Sequence, residues 1–198
     1  STRPERKSPN SKRVIIFSPH PDDDVVSMGG TFDRLVSQGH EVHIAYQVKG
    51  NIAVSDHDAL KFIEVSKDMF KNDSKVPVSE LIKELKNNKP DKIDSQAVRD
   101  LKGFIRKREA IAATRYIGIP DSNTHFMNLP FYDTGRIKKN PPTKKDILIT
   151  ASLIKKIKPH QIFAAGDLED PHGTHKVCLD VILNALDTLK GEKFIKDC

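Results

Sequence analysis

Short apolar runs alternate along the chain with stretches whose apolar residues recur at helical spacing. Arg13–Ser18 carries Val-Ile-Ile-Phe without a polar break, the pattern of a strand buried on both faces. Pro19 stops it. Residues 27–38 then place apolar side chains at helical intervals until Gly39, and residues 41–48 form a second strand pattern. A strand, a helix and a strand in that order predict a parallel pair joined by a right-handed crossover.

The alternation continues. Helical periodicity covers residues 56–70, a polar stretch follows over 71–74, and a shorter helix over 78–86 runs into the breaker Asn87-Asn88-Lys89-Pro90. A longer helix spans Asp94 or Ser95 to Tyr116, with Gly118 just past its end. Residues 124–129 read as a weaker strand, 143–156 as a helix, 161–165 as the clearest late strand, and Thr174–Leu189 as the last helix. Phe194-Ile195 looks like the start of one more strand, so the C-terminus reads as truncated. Together the elements predict an α/β fold, a Rossmann-like three-layer sandwich with a mostly parallel sheet.

Composition narrows the function classes. The 198 residues fit one α/β domain, here expected over residues 13–198, behind a polar segment (residues 1–12) that reads as a linker or a cloning remnant. No run approaches the ~18–20 apolar residues that span a bilayer, and no signal-peptide pattern is present. Two cysteines, Cys178 and Cys198, make no disulfide framework, so a cytoplasmic setting is expected. The net charge of +6 comes from lysines spread along the chain, without the clustered basic stripe and interleaved aromatics of a nucleic-acid binder. Neither a nucleic-acid nor a membrane partner is expected.

Open α/β sheets bind ligands at the carboxyl ends of their strands, and two polar clusters fall there. Ser18-Pro19-His20-Pro21-Asp22-Asp23-Asp24 follows the first strand. Residues 166–175, Gly-Asp-Leu-Glu-Asp-Pro-His-Gly-Thr-His, follow the strand at 161–165. If the two strands are neighbours, the clusters meet over one crevice. Clustered carboxylates beside a histidine repel one another unless a cation sits among them. Zinc accepts imidazole nitrogen and carboxylate oxygen, and a catalytic site needs three protein ligands and an open position. His20 and Asp23 supply two ligands from one turn and His175 a third from the facing loop. His172, three residues earlier on the same helical face, is expected to point into the same space. Taken singly, each histidine reads sooner as a structural residue, and the aspartates as helix caps. Their conjunction after two strands points to a metal.

Pro19-His20-Pro21-Asp22-Asp23-Asp24 closely resembles the signature of the LmbE-like, or PIG-L, de-N-acetylase family, and His172-Gly173-Thr174-His175 resembles its His-x-x-His motif. Arg106-Lys107-Arg108-Glu109, the run from Ala112 to Gly118, and Asp133-Thr134-Gly135 are similar to further family segments, so the resemblance covers about residues 14–189. His20–Thr31 is closer still to a module found behind a glucosamine-6-phosphate deaminase domain in two-domain bacterial proteins.

The resemblance implies zinc-dependent removal of an N-acetyl group from an N-acetylglucosamine-type sugar, with zinc or another divalent ion as cofactor and a linked deaminase domain as partner. Asp22 is then the general base and His172 the oxyanion partner. His20, Asp23 and His175 bind the metal. Asp24 braces the ligands from behind, although the family usually has Glu there, and the shorter side chain reaches less far. Arg106 and Asp133 match sugar-contacting positions, yet alone they read as a surface ion pair and a turn carboxylate. The alternative function is a non-catalytic, metal-containing sugar sensor attached to the deaminase. A phosphate-binding dinucleotide module is disfavoured because Pro19-His20-Pro21 stands where a glycine-rich turn is required. Residues 49–105 are the least family-like, and segments of that kind shape the rim of a site.

Overall fold

The sheet is built outward from β1 (Arg13–Ser18), whose hydrophobic run is covered on both sides. A computed structural model of the protein describes residues 11–69, 78–88, 92–136, 138–166, 169 and 171–197. Position 70, the polar stretch at 71–74, the Lys89-Pro90 breaker, and Asp167, Leu168 and Asp170 of the second polar cluster lie outside those residues. Val14 and Ile16 point into one core layer with Phe32, Leu35 and Ile44; Ile15 and Phe17 point into the other with Ile154, Ile182 and Leu189. Period-two alternation thus sends one strand's residues into two cores, as expected for a sheet covered on both faces.

Four strands, all parallel, lie in the order β3-β2-β1-β4: β2 is Glu41–Tyr46, β3 Thr124–Phe126 and β4 Gln161–Ala164. Helices α1 (Asp23–Ser37) and α4 (Gln96–Tyr116) contribute to one layer, α5 (Lys144–Ile157) and α6 (Thr174–Leu189) to the other. Helices α2 (Asp56–Met69) and α3 (Val78–Lys86) pack with α4 into a satellite cluster around Ile63, Leu81, Leu85 and Val98. The connection out of β1 enters α1 on one face, and that out of β4 enters α6 on the other. The sheet therefore has its switch point between β1 and β4, where a crevice opens.

Three sequence expectations change. The first helix starts at Asp23 rather than at residue 27, with non-helical backbone at Met28 just before Gly29-Gly30. Strand β3 is shorter than residues 124–129, because Asn128 takes a left-handed conformation (φ 49°) that a strand cannot continue. The segment still follows β2, with backbone bonds from Met127 to Tyr46 and from Leu129 to Gln47. Phe194-Ile195 starts no strand. It lies in a 3-10 helix, Lys193–Asp197, and both side chains pack on the α5–α6 layer.

Two features beside the core carry predictions. Asp146, fully buried at the first turn of α5, accepts bonds from the Thr143 backbone (2.8 Å) and hydroxyl (2.7 Å) and from the Phe131 backbone N–H (3.0 Å). One carboxylate thus caps the helix and anchors the loop that carries Tyr132. Asp146→Ala is expected to cost about 2–4 kcal/mol in urea unfolding, since it strands buried donors.

At the sheet edge His125 stacks on His43, with Nε2 and Nδ1 3.0 Å apart, while His43 Nε2–H faces Glu41 at 3.1 Å. Burial first, then the His43 and Lys156 charges, pull His125 down to about 4. Between pH 4 and about 6.5 the unfolded chain therefore binds a proton that the folded chain refuses. Stability is expected to fall by on the order of 1–3 kcal/mol as pH drops through that window. His125→Phe should flatten this part of the unfolding-versus-pH curve.

Candidate metal centre

Two helix starts bring the polar clusters together. After β1, Pro19 and Pro21 hold the chain in a tight turn: the N–H groups of Asp22 and Asp23 both donate to the His20 carbonyl, at 2.9 and 3.4 Å. Asp23 and Asp24 then open α1, where the positive end of the helix favours carboxylates. On the other side Gly173 takes φ +66° as the cap of α6, a conformation that a residue with a Cβ disfavours, and His175 enters the first helical turn. His172 precedes that turn and so does not share a helical face with His175. It is exposed and lines the same cavity from outside the helix.

His20, Asp23 and His175 converge. His20 Nδ1 lies 3.2 Å from Asp23 Oδ2 and 3.2 Å from His175 Nε2, and the third edge, His175 Nε2 to Asp23 Oδ2, is 3.3 Å. Each of the three atoms has a lone pair to offer. Two imidazole protons serve two edges of such a triangle at most, whereas one cation at its apex serves all three corners. A tetrahedral ion with bonds of about 2.0–2.1 Å requires donors about 3.3 Å apart, so the donor set fits a zinc-like ion. Burial pushes the Asp23 carboxyl up. The His20 ring and backbone bonds and the His20 and His175 charges outweigh it and hold the group below the usual aspartate value.

The other two aspartates face different ways. Asp22, half exposed, pairs with Arg106 (Oδ2 to Nη2, 2.7 Å) at the cavity wall, and Arg106 is held in turn by Glu109 at 3.0 Å. Asp24 is buried beneath the turn, accepting from the Tyr46 hydroxyl at 2.8 Å and from Ser18 Oγ at 3.3 Å, while its own N–H donates to Ser18 Oγ. Burial raises its pKa more than those bonds lower it. The short aspartate side chain finds its partners because Tyr46, at the end of β2, reaches across to it.

The cavity holds about 420 Å³, a size that takes a small ligand. Besides His20, Asp22, Asp23, Arg106, His172 and His175, its lining includes Gly50, Ile52, Ala53, Tyr132 and Lys139. Gly50 has φ +63°, and a Cβ there would stand 2.7 Å from Pro21 Cδ, so the glycine lets the second loop approach the metal turn. Asp133 does not line this cavity: it pairs with Lys49 and Arg99, each at 3.5 Å. No motif or spacing in the sequence marks Tyr132, Lys139 or Ile52 as cavity residues. Tyr132 adjoins the Asp133-Thr134-Gly135 segment, which was the available signal; Lys139 sits in a lysine-rich stretch and gave none.

Fold and site define an open α/β domain with three converging donors, able to hold a cation, at the switch point of its sheet. The chain belongs to the PIG-L (GlcNAc-PI de-N-acetylase) family, whose model matches residues 15–186. It is 51% identical, over 99% of its length, to a putative glucosamine-6-phosphate deaminase-like protein of Bacteroides thetaiotaomicron, and spans 31% of that relative. Two solved structures share the fold. An N,N'-diacetylchitobiose deacetylase from Pyrococcus horikoshii, complexed with its inhibitor MPG, has 18% identity and a TM-score of 0.56, over 94% of this chain and 54% of that one. GalB, a 4-carboxy-2-hydroxymuconate hydratase from Pseudomonas putida KT2440, has 19% identity and a TM-score of 0.55, over 93% of this chain and 59% of that one. Among the described residues no helix is long and apolar enough to cross a membrane.

Proposed function

We propose that the chain is a zinc-dependent N-deacetylase that hydrolyses the acetamide of an N-acetylglucosamine-type sugar. The observation that carries this reading is the donor triangle of His20, Asp23 and His175, set in a ligand-sized cavity beside the Asp22 carboxylate, which is not one of the three donors. The named activities of the family and of the Pyrococcus neighbour support the acetyl group and the sugar. The likeness to a deaminase-like protein supports a linked deaminase domain as partner.

His20, Asp23 and His175 would hold the ion. Once bound, a divalent ion polarises an amide carbonyl and makes water acidic enough to react near neutral pH. Asp22 takes the proton of the attacking water on its carboxylate, kept facing the cavity by the Arg106 guanidinium. As the carbon–nitrogen bond breaks, Asp22 returns that proton to the departing amine, so acetate and the free amino sugar leave. His172 donates to the carbonyl oxygen as negative charge builds there, a contribution of about 3–4 kcal/mol for a well-placed donor. Asp24 touches neither substrate nor reacting atoms; through Ser18 and Tyr46 it fixes the floor under the His20 turn. Arg106 is proposed to serve the sugar directly at the wall; Asp133 stands outside the cavity on Lys49 and Arg99, which do not line it either, so no sugar contact is assigned to it.

The test is acetate release from N-acetylglucosamine, its 6-phosphate and N,N'-diacetylchitobiose, with chelated and zinc-reconstituted protein. Release with zinc and none after chelation is expected. No release from any of these by the reconstituted protein would favour the sensing module.

A further inference from the structure

The cavity wall carries a second cation that the hydrolysis does not use. Lys139 lines the cavity with His20, Asp22 and His172. Its Nζ stands 3.8 Å from the centre of the Tyr132 ring and donates to the Arg136 carbonyl at 2.6 Å. Tyr132 in turn lies edge-on to His20, ring centres 6.0 Å apart, so one aromatic ring ties the position of the ammonium to that of the metal turn. The neighbouring basic groups are matched by acids: Arg106 by Asp22 and Glu109, Lys49 by Asp100 and Asp133. Among the described residues no carboxylate pairs with Lys139.

An ammonium has three N–H donors, and here a carbonyl takes one and an aromatic face attracts the charge, which leaves capacity toward the cavity. The group is also partly withdrawn from water. Burial brings Lys139 down to about 8, with the Asp133 charge opposing. Such a charge is costly without a counter-ion, and a bound anion supplies one. A lysine offers a compact point charge, which suits a phosphate better than it suits the two-pronged recognition of a planar carboxylate.

The geometry points to Lys139 as a specificity-determining residue: the cavity takes an N-acetylated amino sugar bearing a phosphate monoester, with the phosphate on Lys139 and the acetamide at His20, Asp23 and His175. This rests on the deacetylase reading for the acetamide end, while the phosphate end is testable by itself. In the full chain, glucosamine 6-phosphate is expected to bind by calorimetry at least 10-fold more tightly than glucosamine. Lys139→Met should remove that preference, and Lys139→Arg should restore most of it. In turnover, Lys139→Met should lower kcat/KM about 10–100-fold for N-acetylglucosamine 6-phosphate, through KM, and change it less than twofold for N-acetylglucosamine. N-acetylglucosaminuronic acid, with its carboxylate at C6, supplies the carboxylate arm and should gain little from Lys139. Equal binding of phosphorylated and plain sugar by the unmodified chain would overturn the proposal. So would equal losses on both sugars in Lys139→Met, or a carboxylate preference matching that for phosphate. If Lys139-dependent binding of the phosphorylated sugar persists while no compound releases acetate, the deacetylase reading fails and the phosphate site stands.

Discussion

Asp22→Asn is expected to lower the rate of acetate release by 10²–10⁴-fold while the protein keeps its metal and its fold. The change is nearly isosteric. Asn retains an oxygen that can accept from Arg106 Nη2, now 2.7 Å from the carboxylate, so the wall of the cavity should stay in place. Asp22 is not one of the three converging donors, and its side chain makes no capping bond to α1, so the substitution removes no metal ligand and no helix cap. What Asn cannot do is take a proton from water and return it to an amine. Single-turnover acetate release and elemental analysis on the same preparation separate the two effects. Full rate in the mutant would remove Asp22 as the base; lost metal would mean that its carboxylate supports the ion after all. The prediction also tests the division of labour among three consecutive aspartates. Asp22 faces the cavity, Asp23 the donor triangle, and Asp24 the buried Tyr46 hydroxyl.

That division was partly legible in the sequence. The β1 run, the helix-spaced residues and the turn signals were enough for a sheet with layers on both faces, because strands buried on both sides and amphipathic helices are dictated locally by which residues must leave water. Placing both polar clusters at strand ends was enough to bring His20, Asp23 and His175 into one crevice once β1 and β4 proved to be neighbours. Other features depend on contacts between distant segments, which leave no local pattern. Met28 breaks α1, and Asn128 ends β3 within a run that looks like a strand. Phe194 and Ile195 bury their side chains from a 3-10 turn, which satisfies the same hydrophobicity as a strand. The His172-Gly173-Thr174-His175 spacing suggested one helical face, and the left-handed glycine between the histidines undoes it. Tyr46 as the partner of Asp24, and Lys139 as a cavity residue, follow from where β2 and the 130–140 segment end in space. Neither is visible in spacing.

His175→Ala should weaken zinc binding by about 10²–10³-fold. Sites with four protein ligands hold zinc with roughly 10–16 kcal/mol, about 2.5–4 kcal/mol per ligand, and one of three donors would be gone. A competing-chelator titration reads the change directly; metal content equal to that of the unmodified chain would send the search for a third ligand elsewhere. The donor triangle makes a second consequence measurable without any substrate. The three donor atoms lie 3.2–3.3 Å apart, and a cation at their apex would serve all three at once. Removing His175 takes away one donor and with it two of the three edges. Saturating zinc should raise the melting temperature of the parent by several degrees, since an ion that binds only the folded state stabilises it by mass action, and should barely move that of the mutant. A purely structural His175 would give the opposite pattern, with the mutant destabilised equally in the presence and absence of zinc.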